Sequence, residues 1–134
     1  MRSLVDGGQL EFINGGMASS DEACPSYEEM IDNILAGHAF LQRTFGITPK
    51  HAWHLDGFGH SGATPELFSR MGFETITFAR MDEELRKVRA EAKNLQFLWK
   101  QSFAGLNDSE PVDSGHSIFA NFLHFHYEAP CQLN

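Results

Sequence analysis

Short β-prone runs alternate with amphipathic helical segments along all 134 residues of this chain, and few folds accept that order. Gln9 to Ile13 reads as a short strand closed by the turn signal Asn14-Gly15-Gly16. Ser26 stands three residues before Glu29, the spacing of a capping box. Met30, Ile31, Ile34, Leu35, Leu41 and Phe45 then recur at helical intervals up to Gly46, a suitable stop. His51 to Leu55 predicts a buried strand, broken by Asp56-Gly57-Phe58-Gly59. Thr64-Pro65 opens a second helix with proline in its first turn; Leu67, Phe68 and Met71 form its stripe and Gly72 ends it. Glu74 to Phe78 reads as the next strand. Asp82 caps a third helix whose stripe includes Leu85 and Val88, and Asn94 to Trp99 is a further strand. Residues 102–116, rich in Gly, Ser, Asp and Pro, read as a loop, and Ile118 to Tyr127 as a last extended segment.

Strands alternating with helices build βαβ units and a parallel sheet, so the expected class is α/β. Four strands with three crossovers are too few to close a parallel barrel. Either the sheet is open, or residues 1–134 are one partial domain cut from something larger. An open sheet edge exposes unpaired backbone, which favours self-association. The sequence shows no internal repeat, low-complexity tract or domain boundary.

The charge balance narrows the partners. At a formal net charge of −8, nucleic acid is excluded as the main partner, because phosphate binding needs clustered Lys and Arg. The basic residues cluster only between Arg80 and Arg89, where Asp82, Glu83, Glu84 and Glu91 share the segment, so it reads as a solvated helix face. No apolar run approaches the roughly 20 residues of a membrane span. Met1-Arg2-Ser3, followed by Leu4-Val5 and Asp6-Gly7-Gly8, does not read as a signal peptide. Cys24 and Cys131 lack CxxC spacing and carry no metal signal; a disulfide, two thiols or bridges outside the chain all stay open. Twelve Phe against two Trp and two Tyr predict a phenylalanine-filled core.

The run that carries chemistry is His54-Leu55-Asp56-Gly57-Phe58-Gly59-His60-Ser61. It lies at the C-terminal end of a predicted strand, the edge at which catalytic groups gather in parallel α/β proteins. Asp56 there is a nucleophile, a general base, a metal ligand or simply a turn former. Gly57 and Gly59 permit positive φ or close approach to a ligand. Three other features carry less. His124-Phe125-His126 would put two imidazoles on one strand face, a pair with no third ligand in sight. Ser61 beside His60 lacks a GxSxG elbow. Glu28-Glu29 is helix N-terminal charge.

Four blocks in order supply the rest. AWHLDGFGHS (Ala52 to Ser61) resembles AWHIDPFGHS, a signature of glycoside hydrolase family 38, the lysosomal and Golgi class II α-mannosidases. QLEFINGG followed by DEA (Gln9 to Gly16, Asp21 to Ala23) resembles the family's QLEFVNGGWVMNDEA. LFSRMGFETITFAR (Leu67 to Arg80) resembles LFAQMGFDGFFFGR, and NLQFLWKQS (Asn94 to Ser102) is similar to a stretch reading QLEFLWRQ. His54 before Leu-Asp leans toward the lysosomal branch, and hence toward a lysosomal or other secretory-pathway compartment.

The resemblance implies a partial parallel β/α barrel and one zinc ion at the C-terminal edge of its strands. It implies that Asp56 ligates zinc and attacks the anomeric carbon of mannose in a mannose-containing oligosaccharide or N-glycan, with retention. Phe58 and Tyr127 match aromatics of the sugar pocket, and Arg80 matches an arginine beside the nucleophile. Two positions depart from the family: Gly57 replaces its proline, which frees the loop, and Met17 replaces a tryptophan. The family's HNDPGW zinc pair falls before residue 1, and a further histidine ligand and the acid/base Asp fall after residue 134. His54 is therefore not assigned to metal, and the isolated chain is expected not to hydrolyse an aryl α-mannoside. The rival expectations are a truncated homologue that only binds or assembles, and a metal-binding module using His124 and His126.

Overall fold

A computed structural model describes residues 1–103, 112–124 and 126–127. Phe125, Cys131, the Glu128-Ala129-Pro130 stretch after Tyr127 and most of the 102–116 loop lie outside the described residues. The elements run α1 (Arg2–Asp6), α2 (Tyr27–Phe45), β1 (His51–His54), α3 (Thr64–Arg70), β2 (Thr75–Phe78), α4 (Glu83–Glu91), β3 (Gln96–Phe103) and β4 (Val112–Phe122). They form a mixed α/β unit around one four-stranded sheet of order β1-β2-β4-β3. The sheet is open; β1 and β3 are its edges.

Local chemistry sets α2. The Ser26 hydroxyl accepts from the Glu29 N–H, while the Glu29 carboxylate accepts from the Ser26 N–H at 2.7 Å. Gly46, at φ +76, closes the helix in the left-handed region. Met30, Ile34 and Leu41 are buried on one face. The β1-α3-β2 unit is a parallel crossover, with Ala52 opposite Ile76 and His54 opposite Phe78. β4 then pairs parallel to β2, so that Phe122 continues the row His54–Phe78. Ala52, Ile76, Phe78, Ile118, Ala120 and Phe122 point into the core, where Phe68 of α3 is fully buried. Phe78 packs on Phe122, Trp99 and Phe97 at 5.3, 6.1 and 6.5 Å between ring centres. Phe68, Phe73, Phe78 and Phe122 are core as composition predicts, whereas Phe40, Phe58 and Phe119 are exposed.

Several expectations are corrected. Gln9–Ile13 is not a strand: the hydrogen bonds to the edge of β1 come from Asn14, which donates its N–H to the His51 carbonyl and accepts from the Trp53 N–H at its side-chain oxygen. The sheet is mostly rather than wholly parallel, and it is not closed, as four strands predict. β3 runs antiparallel to β4, because fewer residues separate Phe103 from Val112 than a parallel crossover needs. The expected 102–116 loop is correspondingly shortened, with β3 running on to Phe103 and β4 starting at Val112. Asp82 does cap α4, accepting from the Leu85 N–H, but Leu85 and Val88 are exposed. Arginines hold that helix instead: Arg86 donates to the His124 carbonyl and Arg89 lies over the Phe97 ring at 4.5 Å. Neither Gly57 nor Gly59 adopts positive φ.

Candidate active site at the strand ends

Register decides what meets at the C-terminal edge of the sheet. His54, Phe78 and Phe122 end their strands side by side. Asp56 and Arg80 each follow two residues after a strand end, so they emerge together. Arg80 Nε donates to Asp56 Oδ1 at 2.6 Å, with Nη2 2.5 Å from the same oxygen. Tyr127 Oη donates to Oδ1 at 3.1 Å. The Arg80 guanidinium stands over the Phe58 ring, with Cζ 4.7 Å from the ring centre. The structure thus brings Asp56, Phe58, Arg80 and Tyr127 into one cluster. Next to it, Phe58, His60, Arg80 and Met81 line a cavity of about 330 Å3, at the small end of ligand-sized pockets.

The cluster shapes the charge on Asp56. The Arg80 hydrogen bond, reinforced by Tyr127 and by the arginine's charge, holds the Asp56 carboxyl below its ordinary value against a weaker upward push from desolvation. Among the described residues Oδ2 carries no hydrogen bond, so one oxygen of an anionic carboxylate stays open to solvent. Arg80 is itself placed from behind. His60 Nε2 donates to the Arg80 carbonyl at 2.7 Å, which fixes that ring's tautomer, and the ring packs on Phe78 at 4.7 Å.

Two carboxylates that sequence reasoning gave no role sit beneath the loop. Asp21 Oδ1 accepts from the Phe58 N–H at 2.9 Å, and this bond, the largest influence on it, holds the Asp21 carboxyl low. Glu22 Oε2 accepts from the Ser61 N–H and from Thr64 Oγ1, at 2.5 and 2.7 Å. Its Oε1 faces His54 Nδ1 at 3.5 Å, and both side chains are almost fully buried. Burial pushes the Glu22 carboxyl up, but His54, Ser61 and Thr64 together outweigh it and keep it below the ordinary range. His54 Nε2 has no hydrogen-bond partner among the described residues. No spacing rule could have found these contacts, because they join positions 37 to 42 residues apart; the only signal was the DEA block.

The remaining sequence candidates fall elsewhere. His124 and His126 lie past Phe122, beyond the end of β4, and so do not share a strand face; the His126 and Tyr127 rings pack tilted, 4.0 Å between centres. Ser61 is a loop residue whose hydroxyl accepts from the Ala63 N–H. Cys24 is a free, exposed thiol. Among the described residues no group of three or more His, Cys, Asp or Glu side chains could hold a metal ion, and no helix is long and apolar enough to cross a membrane.

Comparison with known proteins places the whole chain. The family described as glycosyl hydrolases family 38 N-terminal domain matches residues 1–134. A lysosomal α-mannosidase of Dictyostelium discoideum is 42% identical over 134 residues, all of this chain and 12% of the relative. An α-mannosidase of Arabidopsis thaliana is 40% identical over 131 residues, 97% of this chain and 12% of the relative. An α-mannosidase of Canavalia ensiformis is 39% identical over 132 residues, 98% of this chain and 13% of the relative. The chain spans about an eighth of the length of these curated relatives.

Proposed function

Because the chain belongs to glycosyl hydrolase family 38, we propose that it carries the nucleophile side of a zinc-dependent, retaining α-mannosidase site, with Asp56 as nucleophile and zinc ligand. The substrate would be terminal α-linked mannose on an oligosaccharide or N-glycan, in the lysosome or another secretory-pathway compartment; one relative is named lysosomal. The observation that carries the proposal is Asp56 itself, a carboxylate held anionic at the strand ends with one oxygen engaged and the other open.

In the first half of such a reaction, a carboxylate oxygen of Asp56 bonds to the anomeric carbon as the bond from that carbon to the leaving oxygen breaks. The electron pair departs on the leaving oxygen, which takes a proton from a carboxylic acid outside the described residues. Water then attacks the same carbon, giving its proton to the carboxylate that had acted as the acid, and the Asp56 carboxylate leaves. A lowered pKa serves both halves: the group is ionised when it attacks and a good leaving group when it departs. Arg80 and Tyr127 on Oδ1 orient the carboxylate, and Phe58 offers an apolar wall for a sugar face.

Zinc fits this donor set in part. Oδ2 of Asp56 is an open anionic oxygen of the type zinc accepts, and the other ligands would come from outside the described residues. When bound, the ion would supply a Lewis acid for the sugar hydroxyls and the developing charge.

The test is to trap the ester. In the full-length protein carrying these residues, a fluorinated α-mannosyl fluoride should form the glycosyl-enzyme faster than water clears it. The peptide containing Asp56 should gain the mass of the sugar, and Asp56→Asn should abolish both labelling and turnover of an aryl α-mannoside. A label on another residue, or turnover retained in Asp56→Asn, would overturn the assignment.

A further inference from the structure

We infer that Asp21 and Glu22 act as a positioning clamp that fixes the loop carrying Asp56 and Phe58. This rests on the reading of Asp56 as the nucleophile. Adjacent carboxylates here reach different points of one loop. Asp21 holds the Phe58 N–H, two residues after Asp56; Glu22 holds the Ser61 N–H and the Thr64 hydroxyl at the start of α3. Glu22 also faces His54, two residues before Asp56. The loop is therefore tied at two points after the nucleophile by one dipeptide from a distant part of the chain, whose Glu22 also packs against His54 before it.

The loop needs such ties, because its own sequence supplies little stiffness. It contains Gly57 and Gly59, and neither sits in the left-handed region that only glycine accepts freely. A Cβ at Gly59 would meet nothing within 4 Å, and at Gly57 it would make only ordinary contacts, to Gly59 O at 3.6 Å and His60 Cε1 at 3.9 Å. Both glycines thus add conformational freedom that packing does not take back. Charge-assisted hydrogen bonds from backbone N–H groups to carboxylates are about twice as strong as neutral ones; one falls between the two glycines, at Phe58, and one just beyond them, at Ser61. Asp21 makes its tie at the surface, so it can be changed without opening the core. Glu22 is nearly buried with His54, so removing it would also leave a buried imidazole without its neighbour.

The discriminating pair is Asp21→Ala and Asp21→Asn in the full-length protein. Asn keeps an oxygen that can accept from the Phe58 N–H; Ala does not. If the clamp positions the nucleophile, Asp21→Ala lowers kcat by about ten- to a hundred-fold with KM little changed, the signature of misplaced reacting groups. Asp21→Asn should restore kcat to within about three-fold of the parent, since it keeps the acceptor that positions the loop and gives up only the charge's share of the bond. Amide hydrogen exchange at Phe58 should speed up in Asp21→Ala and stay slow in Asp21→Asn. That exchange reads the clamp whether or not Asp56 is the nucleophile, whose own test is the sugar ester and Asp56→Asn. Unchanged Phe58 exchange in Asp21→Ala would show that no clamp exists. Faster exchange with kcat within about two-fold of the parent, or an Asn variant as slow as the Ala variant, would show that the loop is tied but not positioned for chemistry in this way.

Discussion

Gly37→Ala sets two effects of opposite sign against each other. Gly37 lies in the middle of α2, where alanine should stabilise the helix by up to about 1 kcal/mol. It also lies where residues 14–18 cross the helix. A Cβ built there meets the Gly15 carbonyl oxygen at 1.9 Å and the carbonyl carbons of Gly15 and Gly16 at 2.9 Å, all backbone atoms that cannot rotate away. To restore contacts of even 3.0 Å, the crossing segment must rise by about 3.0 − 1.9 = 1.1 Å. That segment is laced to α2 by four hydrogen bonds, one of them from the Met17 N–H to the Asn33 carbonyl at 3.2 Å. His38 Nε2 donates to the Asn14 carbonyl at 2.8 Å, and Asn33 exchanges a pair with the Ala18 backbone, both at 2.9 Å. Losing them costs about 0.5–1.5 kcal/mol each. Breaking all four would cost about 2–6 kcal/mol; with only part of that lost as the segment rises, and the helix gain set against it, the net loss falls in the range of about 1–3 kcal/mol that overpacking typically costs. Urea unfolding followed by far-UV circular dichroism should show the midpoint falling by about 1 M, with an unchanged slope. A midpoint equal to or above that of the parent would refute the reasoning, since helix propensity would then have outweighed the backbone contact.

Two further outcomes follow from the same geometry. Phe68, with none of its surface exposed and packed between His54 and Phe73 at 5.1 and 5.2 Å, should lose about 3–5 kcal/mol as Phe68→Ala, read as a drop in urea midpoint; a loss below 1 kcal/mol would mean that the core closes over the gap. Arg80→Met should raise the Asp56 titration midpoint toward the ordinary 3.8, followed by carboxyl carbon NMR; since the folded-state value is depressed, the stability Asp56 contributes is present above its unfolded pKa and lost as pH falls through the folded one, and the variant should shrink that acid-sensitive window, while an unmoved midpoint would show that Arg80 does not hold the carboxyl down.

The sequence spoke most clearly where structure is decided within a few residues. Ser26 and Glu29 cap α2 because both partners of the capping box are three positions apart, and Gly46 ends the helix because left-handed backbone favours glycine. The strands β1 and β2 were legible for a similar reason, as was the Asp82 cap. Errors entered where a segment's fate depends on what lies beside it. Gln9–Ile13 has a strand's composition, yet its backbone makes no ladder with β1; the hydrogen bonds to that edge come from Asn14. Leu85 and Val88 have helical spacing, but α4 is held by Arg86 and Arg89, so the apolar stripe stays outside. The direction of β3 depended on its pairing with β4 across a short reversal, which periodicity does not encode.

The site divides along the same line. Asp56 and Arg80 meet because each lies two residues beyond a strand end and the strands end in register, so local reading plus one parallel crossover is enough to place them together. The Asp21 and Glu22 contacts depend on a segment that is neither helix nor strand, pinned to α2 by Asn33 and His38 before it reaches the loop. That dependence joins stability to function in a specific way. The close approach at Gly37 sets the height of residues 14–18 over α2, and Asp21 and Glu22 follow only a few residues later. Crowding at Gly37 should therefore be felt first at the hydrogen bonds from Phe58 and Ser61, before it is felt at Asp56. The hydrogen bonds that hold the Asp56 loop are thus made by a segment that is itself seated on α2.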